Sequence, residues 1–84
     1  MAVIRLPAIL AREAGGQREF TTDAATLEAA LRDLPIADLL FEPGGGDLRR
    51  LVNVYVDGRD ARSDLGAPLP QDAEVRVVAA VAGG

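Results

Sequence analysis

The residues best placed to do chemistry are the last four, Val81, Ala82, Gly83 and Gly84. Glycine lacks Cβ and tolerates φ of either sign, so a Gly-Gly end can thread a narrow slot while a partner's backbone closes around it. Four extended residues reach about 13 Å at about 3.3 Å each. We expect these residues to carry the Gly84 carboxylate into another protein's active site. The alternative is an ordinary frayed end.

The composition argues against catalysis by the chain's own side chains. The 84 residues include no Cys and no His, which removes disulfides, thiolate or imidazole metal ligands and the commonest general base. Nine arginines, with no lysine, stand against thirteen acidic residues and give a net charge of −4. Nucleic acid and anionic membranes are recognised through clustered positive charge, so neither is an expected partner. We expect a protein that is not an enzyme and has no bound metal or cofactor.

Length and hydropathy predict one small domain in the cytoplasm. No apolar run approaches about 20 residues, the length that crosses a bilayer. Residues 1–7 lack the charged region, apolar region and cleavage site of a signal peptide. A chain of this size has room for one core, so we assign residues 1–80 to a single domain and residues 81–84 to a flexible tail.

Hydrophobic periodicity divides the first half of the chain into two strands and a helix. Ile4 and Leu6 alternate with Arg5, which predicts a first strand. Residues 18–22 predict a second strand, antiparallel to the first, and residues 8–14 are compatible with either a longer strand or a short turn. A helical stripe then follows, formed by Leu27, Ala30, Leu31 and Leu34.

The limits of this helix and the segment after it are also visible. Thr26 is a typical N-cap residue, and Pro35 ends the helix because the residue before a proline is pushed out of the helical region. Residues 35–50 are irregular, with room for a short helical turn, and the glycine run 44–46 predicts a surface connection.

The second half of the chain predicts a β-rich end. Residues 51–56 form the strongest strand pattern, and Asp57-Gly58 is a strong hairpin signal. We expect a brief return strand at residues 61–62 and a last strand at 74–80. One helix on one face of a mixed sheet is an α+β architecture, and a central parallel pair of the first and last strands would suit the Val-rich runs.

This order of elements with a Gly-Gly end resembles the β-grasp, or ubiquitin-like, fold and the MoaD/ThiS family of sulfur carrier proteins. The resemblance lies in residues 81–84, in the stretch 51–62 (LVNVYVDGRDAR) and in Thr26-Leu27 opening the helix. It is strongest to the CysO-like group, with the MoaD-like group next. The turn 71–74 (QDAE) departs from the family's usual Asp-Gly-Asp-Glu, and residues 79–80 stand where a proline is common.

The resemblance implies a specific chemistry at the tail. An E1-like adenylyltransferase would use ATP and magnesium to adenylate the Gly84 carboxylate, and a sulfur donor or sulfurtransferase would convert the adenylate to a thiocarboxylate. Val81, Ala82 and Gly83 would be recognised in the partner's slot. A biosynthetic enzyme would then accept the sulfur for cysteine or another sulfur-containing metabolite.

The outward face of the sheet is the expected partner-binding surface. An arginine and aromatic patch is typical of an interface core, although outward arginines often only keep a sheet face hydrated. By strand alternation, the residues on this face are Arg5, Asn53, Tyr55, Arg76 and Val78.

Two other functions remain open from the sequence. The chain could be a permanent small subunit of molybdopterin synthase, which would stay with its partner through purification. It could instead be a ubiquitin-like modifier, because transfer to an amine and transfer to sulfur pass through the same adenylate.

Overall fold

A computed structural model of the chain describes residues 1–44 and 46–80. Five strands, three α-helices and a 3₁₀ turn follow one another in these residues. In chain order they are β1 (Ala2–Arg5), α1 (Ala8–Glu13), β2 (Glu19–Thr22), α2 (Leu27–Arg32), α3 (Ala37–Leu40), β3 (Val52–Val56), β4 (Arg59–Asp60), the 3₁₀ turn Arg62–Asp64 and β5 (Glu74–Ala79).

The strands form one mixed sheet in the order β2-β1-β5-β3-β4. The first and last strands are central neighbours and run parallel, with Ile4 opposite Val75, whereas the other pairs are antiparallel. This confirms the α+β β-grasp architecture. It also places the end of β5 at the edge of the sheet where β1 ends and β3 begins.

The core lies between one face of the sheet and the helices. Alternation along the central strands buries Ile4, Val54 and Val75, and α2 and α3 contribute Leu31 and Leu40, each at 1% exposure or less. Val77 also points inward while Arg76 and Val78 point outward, as the alternation predicts. No helix in the described ranges is long and apolar enough to cross a bilayer.

The predicted helix forms at the expected place but ends earlier. The Thr26 hydroxyl caps it by accepting from the Ala29 amide at 3.2 Å. It ends at Arg32, and the next turn is tightened because the Leu34 amide donates to the Leu31 carbonyl, three residues back. Leu34 is still buried, so the predicted apolar stripe is complete.

Residues 8–14 are helical for most of their length, which settles the choice that the sequence left open. Pro7 cannot donate to a sheet, and its carbonyl accepts from the Leu10 amide at 3.1 Å and the Ala11 amide at 2.9 Å, which starts α1. Leu10 and Ala11 are buried, so the short helix is held by packing.

The return strand was predicted two residues too late. Asp57 (φ 50°) and Gly58 (φ 84°) both lie in the left-handed region, as a two-residue hairpin turn requires. Pairing therefore resumes at once, with Arg59 opposite Val56, so β4 is Arg59–Asp60. Residues 61–62 instead lead into the 3₁₀ turn.

Candidate functional site

The predicted reactive tail, Val81, Ala82, Gly83 and Gly84, lies outside the described residues, which end at Ala80. The last backbone hydrogen bond before it is donated by the Ala80 amide to the Leu51 carbonyl, at 2.8 Å. Ala79 pairs with Val52 just before this point. We call residues 79–80 the tail exit.

A half-buried contact of Arg62 fixes the chain segment beside the tail exit. Its guanidinium donates to the carbonyls of Leu48 and Arg49, each at 2.9 Å, and also to the carbonyl of Val52. These carbonyls flank Leu51, whose own carbonyl accepts from Ala80. Arg62 therefore helps to fix the start of β3, which pairs with the tail exit.

The five residues predicted for the outward sheet face all lie there. Arg76 is opposite Arg5 on one side and Tyr55 on the other, and Asn53 is opposite Val78. Registered neighbours share a face of a sheet, so the five side chains form a continuous surface across β1, β5 and β3.

One half of this surface is neutralised by ion pairs. Arg5 contacts Glu74 at 2.7 Å and Glu19 at 2.9 Å, so three strands carry one charge cluster. The hydrogen bond to Glu74 and the nearby Glu19 charge raise the pKa of the Arg5 guanidinium. The cluster is about half exposed, where such pairs contribute little stability. Arg5 is therefore less available to a partner than Arg76.

The other half holds a polar network around Tyr55. The Asn53 amide donates to the Tyr55 hydroxyl at 3.3 Å and to an Asp60 carboxylate oxygen at 3.2 Å. The second Asp60 oxygen accepts from the backbone amide of Arg62 at 3.0 Å. This amide, with Asn53, lowers the pKa of Asp60. The network holds the one aromatic ring of this face in a defined position.

Sequence reasoning missed Asp60 and Arg62 as parts of this site. Both lie in the stretch that carried the family resemblance, but alternation describes only which face of a strand a residue takes. The reach of Arg62 to three carbonyls depends on how the loop before β3 folds back. No pattern of spacing in the sequence marks that contact.

Comparison with known proteins places this geometry in a family. The chain matches the ThiS family over residues 4–84. It is 34% identical over 89 aligned residues to the sulfur carrier protein CysO of Mycobacterium tuberculosis, covering 96% of each chain. The crystal structure of that CysO superposes with a TM-score of 0.84 at 30% identity, covering 96% of this chain and all of the other.

Two further solved structures share the fold along nearly the whole chain. A CysO in the Amycolatopsis orientalis BexX/CysO complex matches with a TM-score of 0.80 at 27% identity and 100% coverage of both chains. The small archaeal modifier protein 1 of Methanosarcina acetivorans matches with a TM-score of 0.75 at 25% identity, covering 99% of this chain and 95% of that one. The family resemblance predicted from residues 51–62 and the Gly-Gly end is therefore confirmed: the chain belongs to the ThiS family of ubiquitin-like β-grasp proteins.

Proposed function

We propose that this protein is a sulfur carrier whose C-terminal Gly84 is the reactive group, with residues 1–80 as its folded body and residues 81–84 as its tail. The observation that carries the proposal is the position of β5. This strand lies at the centre of the sheet and ends two residues before the segment 81–84 begins in the sequence, and relatives matched along nearly their whole length are named sulfur carriers. A central strand followed by a short segment that ends in Gly-Gly suits insertion into a narrow slot.

The proposed chemistry first gives the carboxylate a good leaving group. A Gly84 carboxylate oxygen attacks the α-phosphorus of ATP, pyrophosphate departs, and an acyl-adenylate remains. Hydrosulfide sulfur then attacks the carbonyl carbon, AMP departs, and the thiocarboxylic acid loses its proton near neutral pH. The carrier supplies only the reacting carboxylate, because ATP, magnesium and the catalytic side chains belong to the activating enzyme.

The proposed partners are an E1-like adenylyltransferase, a sulfur donor or sulfurtransferase, and a biosynthetic enzyme that accepts the sulfur. The solved complex of a similar CysO with BexX supports binding of such a body by a second protein. On this chain we assign recognition to the face made by Asn53, Tyr55, Arg76 and Val78, with Arg5 at its margin. Val81, Ala82 and Gly83 would fill the slot.

Intact mass spectrometry tests the proposal directly. The protein is incubated with an E1-like enzyme, ATP, magnesium and sulfide, beside a variant that lacks Gly84. We expect a mass gain equal to exchange of one oxygen for sulfur, absent from the truncated control. No gain with any E1-like enzyme of the source organism would refute the carrier function.

A second candidate is a protein modifier, favoured by the similarity to the small archaeal modifier protein 1. In that case an amine attacks the same adenylate and Gly84 becomes amide-linked to a target. Immunoblots of cell extract would show a ladder of higher-mass conjugates that disappears when Gly84 is deleted. A thiocarboxylate without such a ladder favours the carrier.

A further inference from the structure

The length of the tail constrains which part of this protein a partner must cover. This inference rests on the proposed function, since it requires Gly84 to react inside a partner. Four residues beyond Ala80 reach about 13 Å when extended. The partner's reaction centre therefore lies within that distance of the tail exit, and the rim of its slot must lie against the residues that surround the exit.

Three arginines surround the tail exit, and we call Arg18, Arg50 and Arg76 the exit arginines. The Arg18 carbonyl accepts from the Leu6 amide at 2.8 Å, which places it where β1 ends. With Arg76 it lines a groove that includes Val78 and Ala79. On the other side, Arg50 lines a second groove with Leu51 and the tail exit.

The exit arginines are exposed, and within residues 1–44 and 46–80 none of their side chains has an ion-pair or hydrogen-bond partner. The acids that line the two grooves do not neutralise them. Glu19 is paired with Arg5, and Glu42 lines the Arg50 groove without forming an ion pair to it.

The opposite edge of the sheet has the reverse charge. Asp23, Asp57 and Asp72 lie there, where β2 and β3 end and where β5 begins, together with Arg59. Glu74, at the start of β5, is paired with Arg5. The protein as a whole has a net charge of −4. The exit arginines therefore form a local positive region on a protein whose net charge is negative.

We propose that the exit arginines dock on an acidic rim around the tail slot of the activating E1-like enzyme. At the exposed rim of a slot the guanidiniums keep part of their water, so carboxylates opposite them act mainly on the rate of encounter. Leu51 and Val78, 52% and 40% exposed, supply apolar contact beside the arginines. The charge arrangement turns the tail end of the carrier toward the enzyme during encounter, as complementary rims do in other protein pairs.

The test compares association rates with that E1-like enzyme in stopped flow at low and high salt. Arg18→Gln and Arg50→Gln are made singly and together, which leaves the Arg76 surface intact. Arg59→Gln is the matched control, because Arg59 is also exposed and unpaired in the described structure but lies beside the turn at the opposite edge.

At low salt we expect each exit variant to associate about 3-fold more slowly and the double variant about 10-fold more slowly, with dissociation little changed. High salt should remove the difference, since it screens exposed charges. Arg59→Gln should associate at the wild-type rate. A wild-type rate for the double variant, or an equal loss for Arg59→Gln, would overturn the proposal.

Two further measurements distinguish a failure of this docking proposal from a failure of the proposed carrier function. In the mass assay at saturating enzyme, both wild type and the double variant should gain sulfur. A double variant that associates slowly in stopped flow therefore still supports the carrier function. No gain for wild type refutes the carrier function and this inference with it. Light scattering tests whether the exit arginines bind a second copy of this protein instead of the enzyme. Salt-sensitive dimers that are lost in the double variant would show that the arginines bind the acidic edge of another copy, and this would contradict the proposal.

Discussion

Arg62 shows how one side chain can connect the loop before β3 with the tail exit. Its charged guanidinium donates to three backbone carbonyls in a half-buried site, and one of them, the Arg49 carbonyl, also accepts from the Val52 amide. The contact also fixes Leu51, which holds the last backbone hydrogen bond of the described chain. Arg62 is therefore a positioning residue for the tail.

Replacing Arg62 with Met should lower the free energy of unfolding by about 2 kcal/mol, because the side-chain volume is largely kept while the donors are lost. Urea unfolding measures this change. Arg59→Met removes an exposed, unpaired arginine and should stay within about 0.5 kcal/mol of wild type. Amide exchange at Ala80 should accelerate in Arg62→Met alone, and unchanged exchange would contradict the positioning role.

At the scale of elements, the hairpin joining β3 to β4 depends on two residues with positive φ. Asp57 tolerates this region as a short polar residue, and its carboxylate accepts from the Glu74 amide at 2.9 Å. Gly58 takes φ 84° with open space where a Cβ would project. The requirement for glycine there is therefore conformational and does not come from crowding.

Gly58→Ala should lower the free energy of unfolding by about 1–2 kcal/mol, the cost of holding a residue with Cβ in the left-handed region. Gly66→Ala is the matched control, since Gly66 also has open space but no positive φ. It should be neutral or slightly stabilising, because alanine restricts the unfolded chain. Thermal unfolding of both variants measures the difference; equal destabilisation would show that φ is not the cause.

The sequence predicted some strands and helices better than others. The strands around Ile4, Val54 and Val75 were predictable because alternation over several residues fixes both the element and its buried face. Helix α1 was not, because only Leu10 and Ala11 are buried in it, too few for a helical period. The return strand β4 was predicted two residues too late, because the Asp57-Gly58 pattern indicates a turn but does not show at which residue pairing resumes.

At the scale of the whole molecule, the sheet separates stability from recognition. Its inner face buries the core under the helices, and its outer face carries the outward residues predicted to bind partners. Strand β5 has both functions, because alternate residues point to opposite faces. The sequence could assign each residue to a face, but not show that Arg5 is neutralised by Glu19 and Glu74 while Arg76 is unpaired.

Adjacent substitutions on β5 should separate these two functions. Val77 is 2% exposed and Val78 is 40% exposed, although they differ by one position and have the same side chain. Val77→Ala should lower the free energy of unfolding by about 2 kcal/mol through lost burial and the cavity left behind. Val78→Ala should change it by less than about 0.5 kcal/mol.

Binding should show the opposite order. Calorimetry with the adenylating enzyme should give Val78→Ala an affinity several-fold weaker than wild type, since Val78 lies beside the tail exit in the proposed interface. Val77→Ala should bind like wild type at temperatures where it is folded, because its side chain never reaches the surface. Unchanged affinity for Val78→Ala would remove it from the interface, and a parallel loss in both variants would mean that recognition depends on the stability of the body.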